Sequence, residues 1–135
     1  MYRALHTVLV TAALGCGMPM SAPPRASAPC SQENVGECES QTRLLVCRGR
    51  AWQVLSDCKG PRGCSKSGDT VDCDTSLNGL GDRCASPGRV RCDPDGGLQI
   101  LRCLSDGLLG LELSCPRMSG VQTACVASDA GLTCE

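Results

Sequence analysis

The chain has 135 residues, 13 of them cysteine, and its 13 Lys and Arg against 14 Asp and Glu leave a formal net charge of -1. That cysteine level marks the disulfide scaffold of an exported protein, while the near-balance of charge excludes a polyanion-binding stripe. The short basic pairs Arg48/Arg50 and Arg89/Arg91 read as solvating charges, so no nucleic-acid partner is expected.

From the N-terminus, Arg3 is followed by an apolar stretch, Ala4 to Gly15, too short to span a bilayer as a helix but suited to a signal peptide over residues 1–15. The stretch ends in Ala13-Leu14-Gly15-Cys16, which resembles the bacterial lipobox. The resemblance implies that Cys16 is diacylated and becomes the mature N-terminus. Ala13 stands where a lipobox usually has leucine. Cleavage after Ala22 or Ala28, giving a secreted form, is the alternative, although proline follows both alanines. An odd cysteine count leaves one thiol unpaired in an exported protein, and setting Cys16 aside leaves twelve. Residues 16–29 then form a lipidated tether, because Pro, Ala and Ser dominate it and give an extended spacer.

The twelve cysteines fall into two sets of six. Cys30, Cys38, Cys47, Cys58, Cys64 and Cys73 are separated by 7, 8, 10, 5 and 8 residues; Cys84, Cys92, Cys103, Cys115, Cys125 and Cys134 by 7, 10, 11, 9 and 8. The outer intervals coincide and the inner ones differ as loop insertions would. Leu44-Leu45-Val46-Cys47 aligns with Ile100-Leu101-Arg102-Cys103, and Thr70-Val71-Asp72-Cys73-Asp74 with Gly131-Leu132-Thr133-Cys134-Glu135. The expected fold is therefore small, disulfide-rich and mainly β: two tandem modules, residues 30–74 and 84–135, joined by a linker over 75–83, each a short-stranded antiparallel meander.

In the second copy, strands near Arg89 to Cys92, Leu98 to Cys103 and Leu108 to Cys115 flank the turn signals Asp93-Pro94-Asp95-Gly96-Gly97 and Ser105-Asp106-Gly107. The first copy repeats this with a tighter turn at Arg48-Gly49-Arg50, and a last short strand carries Cys73 or Cys134. Six cysteines allow fifteen pairings, and spacing does not choose among them. The expectation is one pairing shared by both copies, with no bridge between copies. The tandem pattern of Leu-rich strand, cysteine, Gly-containing turn, Trp or Leu and cysteine resembles the Cys-rich repeats of lipoproteins common in myxobacteria. That resemblance implies an exterior location and carries no activity with it. A weaker likeness to peritrophin-type chitin-binding modules fails on intervals and on binding aromatics.

With Phe absent and both Tyr2 and His6 at the extreme N-terminus, Trp52 is the one aromatic available to a core. It is also the candidate platform for a sugar ring. Trp52 lies six residues before Cys58 and Leu109 six before Cys115, so the shared role is packing. Cysteine spacing offers no Cys-x-x-Cys pair, and neither Asp93/Asp95 nor Asp69/Asp72/Asp74 has the spacing of a calcium loop; no metal or cofactor is expected. A mature chain without histidine and with oxidised thiols lacks a nucleophile and base, so no enzyme is expected. Cys115-Pro116-Arg117-Met118 resembles the opening of the squash-type inhibitor loop, which implies a trypsin-like protease as partner. The leading expectation is a non-enzymatic envelope lipoprotein at the bacterial outer membrane or cell surface, binding a protein or glycan or helping to build the envelope. The alternative is a protease inhibitor acting through Arg117.

Overall fold

The structure is a computed structural model that describes residues 22–128 and 131–135. Residues 1–15, Cys16 and the start of the tether lie outside the described residues. Those described form twelve strands with no helix among them, so none offers a helix long and apolar enough to cross a membrane.

Each module is a three-stranded antiparallel sheet followed by a small closing hairpin. In module 1, β1 (Gly36–Ser40), β2 (Arg43–Arg48) and β3 (Ala51–Asp57) form the sheet, and β4 (Cys64–Ser67) with β5 (Thr70–Cys73) the hairpin. In module 2 the sheet is β6 (Val90–Cys92), β7 (Gln99–Cys103) and β8 (Leu109–Ser114). The β9 (Arg117–Met118) and β10 (Val121–Gln122) pair comes next, and then the closing hairpin β11 (Cys125–Ser128) and β12 (Gly131–Cys134). The β9–β10 pair has no counterpart in module 1; it occupies the longer interval between Cys115 and Cys125.

The aligned apolar stretches become the central strands. Leu45 and Cys47 on β2, like Leu101 and Cys103 on β7, are almost fully buried. Both sheets carry a bulge at the same place, between Leu44 and Leu45 and between Ile100 and Leu101. The β2–β3 connection is a two-residue turn with Gly49 at φ 60° and Arg50 at φ 62°, the left-handed pair that matches strand twist. Glu33 holds it, its two carboxylate oxygens accepting the Gly49 and Arg50 amides at 3.2 and 2.9 Å.

Six disulfides close the frame: Cys30–Cys47, Cys38–Cys64 and Cys58–Cys73 in module 1, Cys84–Cys103, Cys92–Cys125 and Cys115–Cys134 in module 2. First pairs with third, second with fifth and fourth with sixth in both copies, and no bridge joins them. Among the described residues, five of the ten buried apolar side chains are half-cystines. The bridges are thus core filling as well as cross-links, which a core with so few large side chains requires.

The module boundaries differ from those read by composition. Residues 25–29 are not an open spacer: Ala28 N–H donates to Arg25 O at 3.0 Å, Ser27 N–H to Trp52 O at 2.8 Å, and Trp52 N–H to Ala28 O at 2.9 Å. The same three bonds recur from the linker, with Asp82 N–H to Gly79 O at 3.1 Å, Gly81 N–H to Leu109 O at 2.8 Å and Leu109 N–H to Asp82 O at 2.8 Å. Ser27 (φ 68°) and Gly81 (φ 84°) both turn the chain through the left-handed region. Each module therefore begins with a lead-in segment, five residues before its first cysteine, that lies along the outer edge of its third strand. Composition hid this because backbone amides make the contacts, and Arg25-Ala26-Ser27-Ala28-Pro29 matches Gly79-Leu80-Gly81-Asp82-Arg83 at no position.

Candidate functional site

The segment joining the modules is an ordered junction. Asn78 is 1% exposed; its side-chain amide donates to Asp57 O at 2.6 Å and Arg83 O at 3.2 Å, and its Oδ1 accepts Lys59 N–H at 3.1 Å. Asp57 Oδ2 accepts Arg83 N–H at 2.8 Å, and Lys59 Nζ meets Asp82 Oδ1 at 2.7 Å. The Asp82 carboxylate raises the Lys59 pKa above its ordinary value, chiefly through that hydrogen bond.

Beside the junction lies a cleft of about 640 Å³. Its first wall is Ser56, Thr75 and Asn78; module 2 supplies the rest, with Ser86, Arg89 and Arg91 as polar groups and Val90, Leu109 and Leu132 as apolar ones. Among the described residues, two arginines and no carboxylate line it. Arg91 is not a solvating charge, contrary to the sequence reading. Its Nη1 donates to Thr75 O and its Nη2 to Ser76 O at 2.6 Å, while its Nε is buried with no hydrogen-bond partner among the described residues. Arg89 is exposed at the rim. The signal in the sequence was slight: Arg89 immediately precedes β6 and Arg91 lies within it, but nothing local tells which elements face them.

Trp52 is half-buried and stands opposite Cys47, as Leu109 stands opposite Cys103. The two residues are equivalent in register, as their distances from the following cysteine suggest. Trp52 borders a groove with Pro23, Pro24, Pro29 and Glu37, beside the module's own lead-in, to which its backbone is bonded. Arg117 is on β9, paired with Gln122 across a turn at Ser119 and Gly120. Its Nε donates to Gln122 Oε1 at 3.2 Å. Behind it, Gln122 Nε2 donates to Cys115 O at 2.7 Å and Thr123 Oγ1 to Pro116 O at 2.6 Å. The segment is a tight hairpin. The structure brings neither Trp52 nor Arg117 to the cleft.

Of the acidic clusters, Asp74 has a structural task. It is 6% exposed, and its carboxylate accepts Ser76 N–H and Arg62 N–H, each at 3.1 Å. These bonds, with the Ser76 side chain and backbone foremost, hold its pKa down to about 2. Gly60 lies directly against it, and a Cβ there would stand 2.2 Å from the Asp74 carboxylate. Among the described residues no three His, Cys, Asp or Glu side chains form a metal-holding group.

No family model matches the chain, and the search of curated proteins and of solved structures found no similar one. What the chain binds is therefore argued from the chemistry of the cleft.

Proposed function

We propose that this chain is a non-enzymatic binding module of a bacterial cell envelope, tethered through a lipid on Cys16, and that it takes an anionic group of a protein or glycan partner into the cleft between its modules. The observation that carries this reading is the pair Arg89 and Arg91, set in a concave surface with apolar walls and, among the described residues, with no carboxylate in its lining. A partly desolvated guanidinium binds a carboxylate or phosphate through charge-assisted, geometrically matched hydrogen bonds. Six disulfides are compatible with an exported protein, and the lipobox-like Ala13-Leu14-Gly15-Cys16 supports the anchor.

Arg89→Glu is the probing substitution, because Arg89 is exposed and its side chain makes none of the junction bonds. The oxidised chain is expected to capture acidic glycans or an envelope protein in a salt-sensitive manner, and Arg89→Glu to lose that capture. Binding unchanged in the variant would remove the cleft from consideration. Palmitate incorporation in the producing bacterium is expected to disappear in Cys16→Ser; persistence would sink the anchor. The inhibitor reading ranks second, because Arg117 is exposed but drawn against Gln122 in a paired hairpin.

A further inference from the structure

The contact between the modules has a counterpart that is left open. At the C-terminal end of β3, Ser56 Oγ and Asp57 N–H donate to Arg83 O at 3.2 and 3.3 Å. The lead-in of module 2 so covers Ser56 that it is 1% exposed. Counting back from Cys58 and Cys115, the matching positions at the end of β8 are Leu113 and Ser114. Nothing among the described residues covers them: Leu113 is 50% exposed and Leu111, across the bulge, is 52% exposed. A repeat surface that faces water ordinarily is polar. Here the buried hydroxyl of module 1 becomes a half-exposed leucine, at a strand end open to pairing.

We infer that the end of β8 receives the lead-in segment of a second copy of this chain, residues 22–29, repeating between copies the contact that residues 78–83 make within one. Two observations choose this occupant. The lead-in of module 1 has the backbone bonds of the lead-in of module 2, so the shape that fits β3 is present on every chain. It also carries Pro23 and Pro29, both exposed, and Pro24 in the place of Asn78, so the polar contact of Asn78 with Asp57 and Lys59 becomes an apolar one of proline with leucine. The contact joins two different surfaces and is head-to-tail, so repetition builds a ring or a filament. It does not depend on what the cleft binds.

The test is sedimentation of the oxidised chain over a concentration series, combined with a photo-crosslinking amino acid at position 113. Concentration-dependent association is expected, with cross-links from position 113 to residues 22–35 of another copy. Leu113→Lys, and independently Pro23→Asp with Pro24→Asp on the opposite side, are expected to weaken association by about tenfold or more. A folded monomer at every concentration overturns the inference. So do cross-links joining the β8 strands of two copies, which would mean a two-fold contact.

Discussion

Opposite the first module's central half-cystine, Cys47, stands Trp52; opposite Cys103 in the second stands Leu109. Behind those residues the backbone skeleton is the same: equivalent lead-ins, equivalent bulges and the same order of bridges. What differs is how each module is finished. Module 1 closes on Asp74, nearly buried against Gly60, and has its β3 end covered by the following lead-in. Module 2 replaces the short Cys58–Cys64 interval with the β9–β10 hairpin, ends its repeat on exposed Glu135 and leaves Leu111 and Leu113 half in water. Cysteines and backbone thus carry the shared architecture, while the side chains between them are free to give the covered end of β3 a serine and the exposed end of β8 a leucine.

The largest effect expected in breaking this comparison comes from removing a bridge. Cys30→Ser with Cys47→Ser, and Cys84→Ser with Cys103→Ser, each remove both halves of one bridge and are expected to cost roughly 2 to 5 kcal/mol. Each should unfold its own copy, which residue-resolved hydrogen exchange checks directly. Loss of protection in both copies from either deletion would mean that the junction makes them one folding unit.

A smaller effect separates the two lead-ins. Asn78→Ala removes the bonds to Asp57 O, Arg83 O and Lys59 N–H at a part-buried site, and should cost about 1 to 3 kcal/mol. Pro24→Ala, at the matching position of the other lead-in, should change stability far less. Equal losses in denaturant titration would show that the junction bonds are not what distinguishes the copies.

The smallest effect concerns acid. The Asp74 carboxyl falls from an ordinary value of 3.8 to about 2, so its hydrogen bonds favour the folded state fully above the unfolded value. That contribution is lost as pH drops through the folded one. Module 1 should lose stability between about pH 4 and pH 2, with module 2 amides as the internal reference. Asp74→Asn should destabilise at neutral pH and flatten that part of the profile, as read by thermal unfolding against pH. A profile unchanged in Asp74→Asn would mean that other carboxylates govern the acid limb.

Much of the fold was legible because the relevant information is local. Alternating polarity and turn residues such as Gly49 and Asp106 act within a few positions, and the repeated cysteine intervals announce duplication without any knowledge of contacts. Strand positions in both copies follow from Leu44 to Cys47 and Ile100 to Cys103. The candidate site was barely legible: Arg89 and Arg91 look like any exposed pair, and Asn78-Gly79 looks like any turn.

The sequence by itself determined the two modules, their strands, the dependence on disulfides in place of a large core, and the absence of histidine from residues 7–135. Tertiary structure alone decided which of fifteen pairings closes each module, that residues 25–29 and 79–83 belong to the modules they precede, and that Arg91 grips the carbonyls of Thr75 and Ser76. The reason is that these are contacts of backbone groups and of one guanidinium with residues far along the chain. Every residue but proline offers the same amide and carbonyl, so only the path of the folded chain decides which of them meet.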